Sequence, residues 1–391
     1  MKYNLRYNKL SKSGLGLFIC ALLLLFILIL TSPKPETPKF IMGQELVKPT
    51  NNLIFESFII PQPDFLLAAH SATLEVLPNG QLIALWFAGS HEGKPDVKIW
   101  QSTFNGKNWS VAHAIISPEK IAHDTNSYIR KIGNPVIYRA ADNSLYLFVV
   151  SVGVGGWSGS SLNQFISKDW GNTWSVGHKL ILSPFFNLSV LNRTKAITLA
   201  DGGFYLPVYY EFIYTYPELL RFDKKGNFIK QERLNSTNTL MQPALLPLSD
   251  KHAYVYMRNH TKQDNRLYYQ ETSDGGNSWS NLLPTNLTNR DSSIAVMRLE
   301  STQYLMVHNI GGRDKLALAV SRDGVTWHDV YLLENMANEE FSYPAIQMHN
   351  DAIDILYTWK RRNIKHVELN RAWLYSKCSS LEIFKSDKYA K

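Results

Sequence analysis

Runs of alternating apolar and polar residues recur along most of the chain, and each ends at a glycine-containing turn. Val97-Lys98-Ile99-Trp100, Leu267-Tyr268-Tyr269-Gln270 and Leu316-Ala317-Leu318-Ala319-Val320 are of this kind. A period of two followed by a Gly turn predicts hairpin strands with one face toward a core. One segment breaks the pattern. Gly14 to Thr31 runs for 18 residues without a charge, and Lys2, Arg6, Lys9 and Lys12 precede it. Such a run can cross a bilayer as a helix, and its basic flank stays cytoplasmic. A cleaved signal peptide is the alternative, but Thr31-Ser32-Pro33 offers no clean small-x-small site. Both readings export the body of the chain.

The turns themselves repeat. Ser167-Lys168-Asp169-Trp170-Gly171-Asn172-Thr173-Trp174 recurs as Thr272-Ser273-Asp274-Gly275-Gly276-Asn277-Ser278-Trp279. A shorter copy is Ser321-Arg322-Asp323-Gly324-Val325-Thr326-Trp327. Degenerate copies are Ser102-Thr103-Phe104-Asn105-Gly106-Lys107-Asn108-Trp109 and Asp223-Lys224-Lys225-Gly226-Asn227-Phe228. Their last aromatics lie roughly 50 to 65 residues apart, a propeller-blade period. Asp and Gly make the tight turn, the hydroxyl adds a local bond, and Trp fills the space between strands. These residues are scaffold rather than site.

The fold expected is therefore all-β, a six-bladed β-propeller preceded by an N-terminal transmembrane helix. The divisions are a basic cytoplasmic segment at 1–13, a signal anchor at 14–31, a proline-bearing linker at 32–52, the propeller at 53–381 and a tail at 382–391. Leu53 to Ile60 is expected to close the ring beside Ile364 to Leu369. The domain would be membrane-anchored, single-pass and extracytoplasmic (periplasmic or extracellular).

Composition narrows the function. Hydrophobic residues are 45% and charged residues 19%, which fits a globular body. The net charge of +8 is scattered rather than striped, so no nucleic-acid partner is expected. Only Cys20, inside the apolar segment, and Cys378, near the C-terminus, are present, so no intrachain bridge is expected. His residues never fall at metal-ligand spacing, and no nucleotide-binding glycine pattern occurs. No metal or other cofactor is implied.

The repeats resemble those of the Asp-box sialidases, and more closely the broad bacterial and plant sialidase-like group with BNR repeats. The resemblance implies an acidic glycan as partner, three arginines on the sugar carboxylate, a Tyr nucleophile activated by a Glu, and an Asp acid/base. A neutral Tyr suits an anionic substrate that would repel a carboxylate nucleophile. Phe341-Ser342-Tyr343-Pro344 resembles the strand bearing the nucleophile, which makes Tyr343 the candidate. Arg258 in Tyr256-Met257-Arg258 and Arg313 in Gly311-Gly312-Arg313 match two clamp arginines. Arg362, at the end of a last-blade strand, is a third candidate. His70 stands where the family opens with arginine, and it would give the clamp a pH dependence. Glu92 or Asp96 occupies the acid/base loop. The activating Glu is missing near Leu240-Met241-Gln242, and Glu211 is the candidate substitute.

The leading function is a sialidase-like exo-glycoside hydrolase on a carboxylate-bearing sugar. A polysaccharide lyase on uronate-containing glycans, working with a His/Tyr pair, is the second reading. The third is a non-catalytic glycan-binding propeller that stacks sugars on Trp86, Trp157, Tyr209, Tyr210 and Trp359.

Overall fold

The computed structural model describes residues 16–24, 37–42, 52–182, 189–234, 237, 239–261, 263–300 and 302–378. Residues Met1–Thr37 and Pro38–Lys391 form separate compact units. In the first, residues 16–24 are helical and exposed. The rest of the expected anchor at 14–31, the basic segment at 1–13 and the tail at 382–391 lie outside the described residues. Among the described residues no helix is long and apolar enough to cross a membrane.

The second unit is a six-bladed propeller of antiparallel sheets. Blade 1 is Ala68–Val76, Leu82–Gly89, Lys98–Phe104 and His113–Ile116. Blade 2 is Lys131–Arg139, Leu145–Val152, Ser160–Ser167 and His178–Lys179. Blade 3 splits its first strand into Leu191–Asn192 and Ile197–Thr198, then continues with Phe204–Glu211, Thr215–Phe222 and Phe228–Arg233. Blade 4 is Leu240–Pro247, Ala253–Asn259, Arg266–Thr272 and Leu283–Thr288. Blade 5 is Ala295–Glu300, Gln303–Asn309, Lys315–Ser321 and His328–Asn335. Blade 6 takes Phe341–His349, Ala352–Trp359 and Asn363–Asn370 from the end of the chain, and Phe55–Ile59 from its beginning. Phe55 pairs with Leu369 and Ile59 with Lys365, the closure the sequence predicts.

Six apolar clusters fill the space between sheets, one for each pair of adjacent blades. Each repeat supplies its aromatic to the cluster shared with the preceding blade. Trp109 joins blades 6 and 1, Trp174 blades 1 and 2, Phe228 blades 2 and 3, Trp279 blades 3 and 4, and Trp327 blades 4 and 5. The turn chemistry is local. Asp169 Oδ1 accepts from Thr173 N at 2.9 Å and from Ser167 Oγ at 2.7 Å, and Gly171 takes φ +90°. Blade 6 has no such turn, because its outer strand comes from the other end of the chain. Its third strand runs instead into the helix Arg371–Lys377, capped by Asn370 Oδ1 on Trp373 N at 3.0 Å.

Of the expected linker at 32–52, residues 37–42 and 52 are described. Phe40 is buried between blades 3 and 4, its N–H donates to Asp250 O at 2.6 Å, and it bridges to Leu199. One expectation is corrected: Trp86 offers no stacking surface, because it is fully buried among the apolar residues between blades 6 and 1.

Antiparallel order gives the propeller two distinct faces. First strands begin on one face, and the loops between second and third strands return to it. The repeat turns and the loops between first and second strands lie on the other, together with Phe40.

Candidate active site

A feature of the backbone marks the first face. Within four residues of the start of each blade's first strand lies a residue in the left-handed region, and none of the six is glycine. They are Ser71 (φ 59°), Asn134 (41°), Ser189 (55°), Gln242 (49°), Asp291 (54°) and Tyr343 (55°). In blades 1, 2, 4 and 6 the pairing register shifts at this point, so these are β-bulges. Pro135, Pro243 and Pro344 follow three of them and have no N–H to leave unpaired. Strained non-glycine backbone persists only where its surroundings hold it, and it concentrates at functional sites. Of the six, Gln242, Asp291 and Tyr343 meet around Arg258.

Tyr343 is the centre of the cluster. Its phenolic oxygen lies 3.0 Å from Arg258 Nη1 and 3.3 Å from Gln242 Nε2, both donors. Three guanidinium groups surround its ring, at 5.0 Å for Arg193, 5.7 Å for Arg313 and 5.9 Å for Arg258. The His70 ring packs on it with centroids 4.2 Å apart. Burial pushes the phenol pKa up, but Arg258, Arg313 and the Gln242 hydrogen bond outweigh it and bring it below the usual value. Tyr209, fully buried beside it and bonded to Gln242 Nε2 at 3.3 Å, is pushed well up by burial.

The arginines are held by acids. Arg258 pairs with Asp291 at 2.7 Å, and Asp291, Tyr343 and Tyr209 keep it charged despite burial. Arg313 donates to Glu340 Oε1 at 3.2 Å and to Asp291 O at 2.9 Å. The two predicted clamp arginines thus share one neighbour and converge on Tyr343.

Arg362 does not join them. It is exposed and lines a surface hollow with Gln62, Pro63 and Asp64. The left-handed turn at Lys360 and Arg361 sends Arg361 inward instead. Arg361 donates to His70 Nε2 at 3.0 Å and to Glu92 Oε2 at 2.5 Å.

That contact fixes the state of His70. A guanidinium can only donate, so Nε2 carries a lone pair, and the Nδ1 proton goes to Thr358 Oγ1 at 2.8 Å. Burial first, then Arg361, Arg313, Arg193 and Arg258, holds the His70 pKa well below its ordinary value. His70 is neutral, so the expected pH-dependent positive charge in the clamp is absent.

The acid candidates separate. Glu92 lines a hollow with His70, Phe87 and Arg361 at the site. Asp96 accepts from Ser90 N at 2.6 Å and from Ser90 Oγ at 2.8 Å, so its carboxylate caps its own loop. Glu211 does not reach the phenol. Burial raises its pKa, and its charged neighbours are Arg258, His260 and Asp291. The position beside Tyr343 belongs to Gln242, which carries no carboxylate.

Sequence reasoning missed Arg193, Gln242, Asp291 and Arg361 as site residues. The recurring Asn-Pro, Gln-Pro and Tyr-Pro pairs near blade starts are the signal that marks Asn134 and Gln242, besides Tyr343, among the six left-handed positions. Nothing local distinguishes Arg193 or Arg361.

Folding also gathers a cluster that no sequence spacing suggests. Asp354, His366 and Glu368 bring potential ligand atoms within 4.8 Å of one another in blade 6. Trp109 Nε1 donates to His366 Nδ1 at 3.2 Å, so Nε2 bears the proton and donates to Asp354 Oδ1 at 2.9 Å. This tautomer leaves Nε2 no lone pair for a metal.

Fold and sequence together define a sialidase-type propeller. The sequence matches the BNR repeat-like domain over residues 80–355, and the chain belongs to that family. Among solved structures, it resembles the Hadza microbial sialidase Hz136 with 16% identity and a TM-score of 0.66, over 79% of this chain and 66% of that one. A Dyadobacter fermentans protein of unknown function aligns with 13% identity and a TM-score of 0.65, over 81% of this chain and 98% of that one. Trypanosoma rangeli sialidase aligns with 15% identity and a TM-score of 0.61, over 83% and 61%. The chain thus spans slightly less than two thirds of the length of the two sialidases. None of the curated protein sequences matches it.

Proposed function

We propose that the protein is an exo-acting glycoside hydrolase for a carboxylate-bearing sugar of extracytoplasmic glycans, tethered through the apolar segment at 14–31. The observation that carries the reading is the Tyr343 phenol, held by Arg258 and Gln242 at the propeller axis amid a cluster of arginines. Arg258, Arg313 and Arg361 offer forked donors to the sugar carboxylate, which would replace Glu340 and Glu92 on the latter two. Tyr343 gives its phenolic proton to solvent, and its oxygen attacks the anomeric carbon as the glycosidic C–O bond breaks; Glu92, protonated once the sugar carboxylate has displaced it from Arg361, gives its proton to the leaving oxygen. The Glu92 carboxylate then takes a proton from the water that attacks the anomeric carbon, and the bond to Tyr343 breaks to restore the phenolate.

One observation favours β-elimination as a second reading. The phenol has Gln242 where a carboxylate base is expected, and a neutral His70 packs against it. Tyr343 and His70 would then share the base and acid roles on a uronate.

A panel of acidic glycans, with products followed by mass spectrometry and ultraviolet absorbance, separates the readings. Hydrolysis adds water and gives no new chromophore. Elimination gives an unsaturated, absorbing sugar. Binding without any product leaves the glycan-binding module. Protease treatment of intact cells or spheroplasts tests the topology, because an extracytoplasmic propeller is digested and a cytoplasmic one is protected.

A further inference from the structure

Arg193 stands in the first strand region of blade 3, directly under Tyr343, and is only 2% exposed. Its Nη2 donates to Pro344 O at 2.9 Å and its Nη1 to Ala72 O at 3.3 Å. It therefore ties the bulge of blade 6, at Tyr343, to that of blade 1, at Ser71. Its guanidinium is the closest of the three to the Tyr343 ring, at 5.0 Å. The other site arginines each have an acid: Asp291 for Arg258, Glu340 for Arg313 and Glu92 for Arg361. Among the described residues, the hydrogen-bond partners of Arg193 are two carbonyls, and its buried Nε has none.

A buried guanidinium without a carboxylate is costly unless another group balances its charge. Burial pushes its pKa down to about 10, which still leaves it charged at neutral pH, and the acidic groups that act against this are the phenols of Tyr343 and Tyr209. Of these, Tyr343 accepts two N–H donors at its oxygen, an arrangement suited to an oxyanion.

We propose that Arg193 is the resident counter-charge of Tyr343, a positioning residue that fixes its strained backbone and favours its phenolate. It would thereby make the phenolate accessible without the carboxylate base that is missing where Gln242 stands. This rests on the reading of Tyr343 as the reactive group. The other charged or titratable groups facing Tyr343 are His70 and Glu92 from blade 1, Tyr209 from blade 3, Arg258 from blade 4 and Arg313 from blade 5. His70 is neutral, Glu92 opposes ionisation, and the arginines favour it.

The test is a pH titration of tyrosinate absorbance in the full chain, with Tyr343→Phe subtracted to isolate the Tyr343 signal. Tyr343 in the wild-type protein is expected to ionise at lower pH than free tyrosine. Arg193→Met should move that midpoint up by about one pH unit or more, the scale of a lost neighbouring charge. Arg193→Lys keeps the charge without the fork and should shift it less than half as far. A folded Arg193→Met protein with an unchanged midpoint overturns the proposal. If Arg193→Met does not fold, Arg193→Gln, which can still donate to the two carbonyls but carries no charge, takes its place: a midpoint raised by a similar amount supports the proposal, and an unchanged midpoint overturns it. The titration needs no substrate. A low Tyr343 midpoint in a protein that cleaves no acidic glycan therefore defeats the catalytic reading alone.

Discussion

At the scale of single residues, the site is a balance of charges around one phenol. Tyr343→Phe removes only the oxygen that faces Arg258 and Gln242, so packing against His70 survives. Turnover should fall by roughly three orders of magnitude or more while binding of the acidic sugar persists, measured by steady-state kinetics and calorimetry. Gln242→Glu distinguishes the two chemistries. It places a proton acceptor beside Tyr343, so a hydrolase should gain activity and show a new acid limb in its pH–rate profile. Loss of activity without that limb would say that the amide, and not a missing base, is what the reaction uses. Arg361→Ala should weaken carboxylate binding by about 1–3 kcal/mol, the scale of charge-assisted hydrogen bonds, and Arg362→Ala should leave it unchanged, because Arg362 lies in a different surface hollow.

At the scale of the blade, polar groups inside the sheet affect stability as well as shape. Glu218, on the third strand of blade 3, is buried and accepts from Gln231 Nε2 at 2.6 Å. Burial raises its pKa to about 7. In the unfolded chain it ionises near 4.3, so the unfolded state gives up this proton first as pH rises. The group therefore costs nothing at pH 4, costs progressively more between about 4 and 7, and costs a few kcal/mol, by order of magnitude, above that. Glu218→Gln should raise the urea midpoint at pH 8 and leave it nearly unchanged at pH 4. An equal effect at both values would place the origin in packing rather than ionisation. In blade 5, Trp327 is 2% exposed and fills the interface with blade 4. Trp327→Ala should cost about 3–5 kcal/mol through the cavity it leaves.

At the scale of the whole molecule, closure comes from both ends of the propeller sequence. Phe55–Ile59 completes blade 6, and Phe55 stacks on Trp373 of the final helix with centroids 4.4 Å apart. Phe40 adds a contact on the face opposite the site, where Ala200 N donates to Lys39 O at 2.8 Å. The chain thus enters the propeller away from the Tyr343 cluster. Phe40→Ala should destabilise the propeller by about 3–5 kcal/mol in denaturant unfolding, with no change in sugar binding. A change in binding would couple the two faces.

The fold was legible in the sequence because its determinants are local and repeated. Asp169, Asp274 and Asp323 each build their turn from residues within four positions, and the aromatic that follows needs only the next sheet. Alternation supplied the strands, and the spacing of the repeats supplied the number of blades. Tyr343, Arg258 and Arg313 were legible through their resemblance to a known pattern. The remaining site was decided by tertiary structure, because it joins residues that no local rule relates. Arg361 rather than Arg362 faces inward because of a left-handed turn. His70 is neutral because Arg361, 291 residues away in sequence, donates to its Nε2. Gln242 meets Tyr343 across 101 residues and Arg193 meets Pro344 across 151, since only closure of the ring brings six strand starts to one axis. The sequence by itself determined the blades; the charge state and partners of the phenol at their centre were set by the geometry of closing them.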